Sequence, residues 1–286
     1  TMQNSGIAKK NGIEIEVIRL ASKNAVAVAL QAKAVDVIVS DFIWVNKQRA
    51  RGYDYTFYPY SKALGALYVR PELNIQNLSD LSDKNLGISG GPLDKTWLLL
   101  RAYSFQKYNK DLKDMVTSTY ASPPILNKKL LDNSLDATIN FWHYASRLEA
   151  KGMKRLIGIN EVLKEFDIKS DISFVGWVFS EKLIKRNKKL VNSFLQASYE
   201  SKKLLLDSNE EWEKIKPLMK TKNENIFNAL KQGYRDGIIK NFSDKHINDS
   251  KKVFNVLLEH GGSKLAGKST SLDDGTFYRY NTQIQW

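Results

Sequence analysis

Residues 12–18, Gly12-Ile13-Glu14-Ile15-Glu16-Val17-Ile18, alternate apolar and polar positions with β-branched side chains, which predicts a strand. Residues 24–34 are Ala-rich with helical spacing and predict a short helix. The run 35–39 is apolar except for Asp36 and reads as a largely buried parallel strand, closed by Ser40-Asp41 and followed by a helix over 42–51. Strand and helix alternate again further on. Small-residue strand 62–69 closes at Arg70-Pro71, a turn and short helix occupy 75–81, and strand 85–89 runs into Gly90-Gly91-Pro92. A helix over 93–109, a strand over 115–120, a helix to 133 and a strand over 135–140 complete a second α/β unit. After a strand over 171–179 the pattern turns almost wholly helical, with helices over 181–185, 188–207, 209–220, 224–236 and 246–260 and an irregular tail. There is no internal repeat and no low-complexity linker.

Alternating strands and helices imply parallel strands joined by crossovers, hence an α/β fold. The strands near 62–70 and 171–179 bracket the middle unit. That is the pattern of one domain inserted in another, with two chain crossings that form a natural hinge. The expected lobes are 1–64 with 178–286, and 65–177.

Composition narrows the chemistry. The chain has 286 residues, 42% hydrophobic and 26% charged, the mixture of a globular protein with a full core. No stretch reaches the roughly 18 consecutive apolar residues that span a bilayer. The first residues lack a basic-then-apolar signal pattern, so any secretion signal is expected to be already removed or never present. Cysteine is absent, which excludes disulfide scaffolds, thiol nucleophiles and Cys-type zinc sites. Three histidines, 143, 246 and 260, are too few for an ordinary metal site, and the expectation is no metal and no cofactor. The net charge of +13 comes mostly from Lys interleaved with Glu and Asp along the late helices, while Arg is sparse. That distribution predicts a solvated surface rather than a nucleic-acid footprint.

Four stretches stand out in order: "LASKNAVAVALQAKAVDVIVSD" over 20–41, "GALYV" over 65–69, "LSDLSDKNLGISGGPLDKTW" over 78–97 and "LDATINFW" over 135–142. This order of motifs resembles the periplasmic solute-binding proteins of the nitrate, taurine, sulfonate and thiamine-precursor ABC importers, and it covers nearly the whole chain. The resemblance implies a type II periplasmic-binding-protein fold: two parallel-sheet lobes joined by two crossover strands, with a solute held between them. It also implies a periplasmic monomer that meets the membrane only through an ABC permease and its ATPase. Members of that family begin with a strand and a ligand-contacting loop; this sequence begins within or just ahead of the first helix. The first-lobe contacts that can be assigned are accordingly expected to be incomplete.

Ligands of open α/β sheets bind beyond the carboxyl ends of strands. Gly90-Gly91-Pro92-Leu93-Asp94-Lys95-Thr96-Trp97 lies at such an end. Two glycines permit close backbone approach, the following helix offers free N–H groups, and Lys95 and Thr96 add a charge and a hydroxyl. The competing reading is a helix start capped by Asp94 with Lys95 solvated. Ser40 and Asp41 either meet the ligand or cap the helix that carries Trp44. Asn140 and Trp142 either line the cleft or pack between lobes, and Trp177, in the return crossing, divides the same way. His143 and Ser122 are marginal members of the set. Gly87-Ile88-Ser89-Gly90-Gly91 matches Gly-x-Ser-x-Gly, yet Pro92 makes it a binding turn rather than a nucleophile elbow. The solute class left open is a small anion or zwitterion, sulfonate-like or nitrate-like, or a pyrimidine-like ring. Rival functions are a sensory or accessory binding module and an enzyme like the thiamine-pyrimidine synthases; the latter carry a Cys-rich motif that this chain lacks.

Overall fold

A computed structural model describes all residues, 1–286. The chain opens with α1 (Ile7–Lys10), runs extended to Leu20, and enters α2 (Lys23–Gln31) at the Ser22 cap, whose hydroxyl accepts the Ala25 N–H at 3.1 Å. Next come β1 (Ile38–Asp41), α3 (Phe42–Arg49) and β2 (Tyr55–Ser61). The chain then crosses to a second sheet and builds β3 (Ala66–Val69), β4 (Asn85–Ile88), α4 (Lys95–Tyr108), β5 (Thr117–Tyr120) and α5 (Pro123–Leu131). β6 (Ala137–Asn140), α6 (Trp142–Glu149), β7 (Lys154–Gly158) and α7 (Ile159–Glu165) complete that unit. It returns to the first sheet as β8 (Val175–Ser180). The remainder is α8 (Glu181–Arg186), α9 (Lys188–Asp207), α10 (Glu210–Ile215), α11 (Glu224–Asp236), α12 (Asp244–Ala266) and the tail.

The first sheet has the order β1-β8-β2 and is antiparallel throughout. The second has the order β5-β4-β6-β3-β7, parallel across β5, β4 and β6 and antiparallel where β3 lies between β6 and β7. Two parallel sheets were the expectation, and this corrects it. The run 35–39 resembles a buried parallel strand because it is apolar, yet β1 begins at Ile38 and lies at the sheet edge, with Val39 44% exposed. Residues 12–18 alternate as a strand should but join no sheet. Ile13 is buried against Ala8 and Ala197, while Val17 and Ile18 stay exposed. Of the strand expected over 62–69 only 66–69 forms, as β3; 62–65 is the crossing, β2 ahead of it was not expected, and β8 pairs with β1 and β2 rather than with β3. α6, β7 and α7 have no counterpart in the elements expected from sequence.

The two crossings are tied to each other. Ser173 Oγ accepts the Ser61 N–H at 3.2 Å and donates to Ser61 O at 2.8 Å, and Lys62 Nζ meets Asp171 at 2.7 Å. β8 starts at Val175, so the return crossing lies ahead of residue 175. The strand period sorts the first sheet's side chains into two layers. Tyr58 and Phe179 face Leu195 and Tyr199 of α9, while Phe57 and Val178 join Phe42 of α3 and Phe254 of α12. Burial of each such ring contributes about 1.5–3 kcal/mol. α12 packs against both α3 and α4, and one continuous apolar core runs through both sheets. No helix is long and apolar enough to cross a membrane.

Two positions in the first sheet and its flanking helix generate predictions. A Cβ on Gly176 would sit 2.4 Å from the Phe57 ring and 2.4 Å from Tyr58 O, both fixed in the core. Gly176→Ala is expected to cost about 1–3 kcal/mol, read as a lower urea midpoint at unchanged slope. Lys202 of α9 is buried and has no acidic partner; its ammonium lies 4.5 Å from the Tyr60 ring centre and 4.7 Å from that of Tyr199. Burial pushes its pKa down to about 7. The folded state therefore binds fewer protons than the unfolded one between pH 7 and about 10.4, and this group adds stability as pH rises through that window. Lys202→Met should be more stable than the parent at pH 6, with the gap closing by pH 10, in thermal melts across that range.

Candidate functional site

Three helices start where the two sheets meet, and each start is set by local sequence. Ser22 caps α2; Asp41 caps α3, accepting the Trp44 N–H at 2.8 Å; Asp94 caps α4, accepting the Trp97 N–H at 3.1 Å. Gly90 and Gly91 turn the chain into α4 with φ of +77° and +80°. At Gly90 a Cβ would also lie 2.6 Å from the Asp94 carboxylate, so the turn and the cap require glycine together. The first crossing passes close by, because a Cβ on Gly65 would be 2.6 Å from Asn140 O and 3.1 Å from Thr96 Oγ1.

Lys95 Nζ donates to Asp41 Oδ2 at 2.9 Å, joining the end of β1 in the first sheet to the start of α4 beside the second. Both side chains are largely covered, at 26% and 20% exposure. Burial works against each charge, but the Lys95 ammonium and its hydrogen bond outweigh it and hold the Asp41 carboxyl below its usual range. Burial likewise opposes the Lys95 charge, and Asp41 outweighs it to raise that pKa. Asp94, with no such direct partner, is raised by burial. A second bridge crosses the same gap: Lys23 Nζ, on the first residue of α2, stands 5.6 Å from the centre of the Phe141 ring at the start of α6. Lys23 forms no ion pair; its field adds to the lowering of Asp41 and works against the burial that raises Asp94.

The structure therefore brings Asp41, Gly90, Gly91, Asp94, Lys95 and Thr96 together, with half-buried Ser40 beside Asp41 in register with Gly176. The other candidates serve the scaffold. Trp97 is buried in the core. Asn140 is fully buried and spent internally: its Nδ2 donates to Pro123 O at 3.0 Å and to Asn127 Oδ1 at 2.8 Å, and its Oδ1 accepts the Phe141 N–H. Trp44 stacks on Tyr55, and the Trp142 ring covers Gly233 of α11. Trp177 donates Nε1–H to Ser198 Oγ at 2.9 Å and packs its ring on Tyr60 and Phe194. Ser122 is exposed before α5, and His143 is exposed beside Phe141 and Tyr144. Ser89 Oγ is buried without a hydrogen-bond partner.

Sequence reasoning missed Lys23 and Phe141. A signal for Lys23 existed: a cation on the first residue of a helix opposes the dipole, and α2 has no acid in its first turn. α4 repeats the anomaly with Lys95. No cluster of three His, Asp or Glu side chains is placed to hold a metal ion. The concavity of about 510 Å³ along α9 and the tail is open and polar, and none of the candidate residues lines it.

The Asp41–Lys95 pair fixes a pH window. The depressed Asp41 adds stability above the unfolded carboxylate pKa near 4 and loses it as pH falls through its folded value. The raised Lys95 adds stability below the unfolded value near 10.4 and loses it as pH rises through its folded value. The melting-temperature difference between the parent and Lys95→Met should be flat from about pH 5 to 9 and shrink at both extremes.

A family model described as NMT1/THI5 like matches residues 3–211. The periplasmic aliphatic sulphonate binding protein SsuA from Escherichia coli superimposes with a TM-score of 0.74 at 14% identity, covering 99% of this chain and 89% of that one. The alkanesulfonate-binding protein SsuA from Xanthomonas axonopodis pv. citri, bound to MOPS, gives 0.69 at 14% identity, over 97% of this chain and 92% of that one. The desulfurization enzyme DSZB shares the fold at 0.55 and 15% identity, over 91% and 88% of the two chains. No curated protein matches. With the family model spanning most of its length, the chain belongs to the NMT1/THI5-like family and has the fold of the periplasmic binding proteins that resemble it.

Proposed function

We propose that this chain is the extracytoplasmic solute-binding component of an ABC importer, holding a small charged solute between its two lobes. The supporting observation is the Asp41–Lys95 contact, in which two residues 54 apart in sequence meet from opposite sheets at the starts of two helices. Helix starts favour anions, and here two of them carry a lysine where a lone helix disfavours one. Such a breach of local preference is the mark of a site kept for recognition. The proposed lobes are the expected 1–64 with 178–286, and 65–177, except that residues 175–177 go with the first lobe because β8 begins at Val175; they close about the crossings tied by Ser61 and Ser173. The residues we assign to the solute are Ser40, Asp41, Gly90, Gly91, Asp94, Lys95 and Thr96, joined by Lys23 and Phe141. An acid group of a sulfonate or carboxylate fits Lys23, Lys95 and the N–H groups of α4. The partners are a membrane permease and its ATPase, and the protein acts as a monomer.

A second reading, chemistry on the solute, is raised by the fold shared with the desulfurization enzyme. The residues argue against it. There is no cysteine, no metal-ligand cluster, and no base bonded to Ser89 Oγ. An accessory or sensory module is a third form of the same binding chemistry; genes for a permease and an ATPase beside this one favour import.

A thermal-shift screen against sulfonates, aminosulfonates, carboxylates, nitrate and pyrimidines tests the proposal. A solute at about 100 times its dissociation constant should stabilise the protein by roughly 2.7 kcal/mol. Lys95→Ala should weaken that solute by about 1–3 kcal/mol. No shift with any class, or full affinity in Lys95→Ala, would overturn the proposal.

A further inference from the structure

The charges at the cleft are balanced. Lys23 and Lys95 contribute two positive side chains, and Asp41 and Asp94 two negative ones. Asp41 and Lys95 have their pKa values displaced in the directions that keep both ionised. Asp94 is turned back on Gly90 and on the Trp97 N–H. Asp41 is the acid that bridges the gap between the sheets. Its Oδ1 is taken by the Trp44 N–H and its Oδ2 by Lys95, which leaves each oxygen one further lone-pair direction. Lys95 Nζ has one donor in use of its three.

From this balance we infer that Asp41 makes the cleft selective for zwitterions, solutes with an ammonium and an acid group a few bonds apart, against plain anions of the same size. The inference rests on the solute-binding proposal and adds to it the sign of the second charge. A plain anion that engages Lys95 draws the ammonium from Asp41 and faces the Asp41 carboxylate across a gap from which closure excludes water. It gains one pair and strands one charge, the costly outcome in a covered site. A zwitterion lies head-to-tail on the existing pair. Its acid group takes the free donors of Lys95 and the unpaired ammonium of Lys23, while its ammonium takes the open side of Asp41. No charge is left alone. Discrimination of this kind comes from repulsion of the wrong ligand as much as from attraction of the right one.

Calorimetric titration of the whole chain with two matched pairs tests this: 2-aminoethanesulfonate against ethanesulfonate, and 3-aminopropanoate against propanoate. In at least one pair the aminated member should bind the parent protein about tenfold more tightly or better, which corresponds to one close charge contact. Asp41→Asn removes the charge and keeps a residue suited to capping α3. It leaves Lys95 without its partner, so the variant should melt below the parent, and its unchanged circular dichroism at the titration temperature checks that it is folded when binding is read. In Asp41→Asn the two members of that pair should bind within about twofold of each other, the plain anion having gained and the zwitterion lost. Equal binding of both members by the parent, or an amine preference that survives in Asp41→Asn, overturns the inference. Binding of a neutral ring solute with none of the four probes also overturns it, while solute binding stands. Absence of binding by every class in the wider screen overturns the solute-binding reading itself.

Discussion

Ser173 Oγ accepts from Ser61 N and donates to Ser61 O, and the two passes of the chain between the sheets are thereby held as one strap. The Lys62–Asp171 ion pair reinforces the strap at the surface, where it is worth little on its own. The strap matters because both sides of the site hang from it. Ser61 ends the strand whose neighbour β8 pairs in turn with β1 and so leads to Asp41, and Gly65 passes against Thr96 and Asn140 O at the start of the second sheet. Fixing the crossings thus fixes where Asp41 and Lys95 stand relative to each other. A drift of about an ångström or two would turn a 2.9 Å hydrogen bond between ions into two separately buried charges.

α12 limits how the strap can bend. It packs on α3 and on α4 at once, and its helical path breaks at Gly262, where φ is +56°. Gly261 sits against Leu98 of α4, while Lys264 O, past the break, accepts from Lys47 of α3. The two sheets therefore share an apolar core on the α12 side, whereas Asp41–Lys95 and Lys23–Phe141 join them through polar contacts. Polar contacts of this kind exchange with a charged solute at small net cost, whereas the shared core does not open without exposing apolar surface.

Much of this architecture is legible in the sequence, and the losses have physical causes. Helix starts read well because caps are local: Ser22, Asp41 and Asp94 each bond a backbone N–H three residues on. The double-glycine turn is legible for the same reason. Strand direction is not, since an apolar run such as 35–39 looks alike in a parallel interior and at an antiparallel edge; pairing is decided by residues more than a hundred positions away in β8. The segment 142–166 escapes notice because its helices are only 8 and 7 residues long, too short for a periodic pattern to stand out. Asn140 stands at the expected strand end, but its direction is set by Asn127 and Pro123, which no local pattern connects to it.

Lys23 carries the more general lesson. It breaks a rule that can be checked from sequence alone, a cation at the positive end of a helix, and Lys95 breaks it again in α4. One breach is tolerable noise of a few tenths of a kcal/mol. Two, on helices that the fold then brings to the same gap, cost the protein stability twice in one place. Neither is relieved by an acid in its own first turn; relief comes from across the gap, Asp41 for Lys95 and the Phe141 ring for Lys23. Each lysine thus gains from the contact between the two sheets, Lys95 beyond what its neighbour Asp94 supplies and Lys23 beyond the field of Asp41, so both side chains favour the arrangement in which the sheets meet.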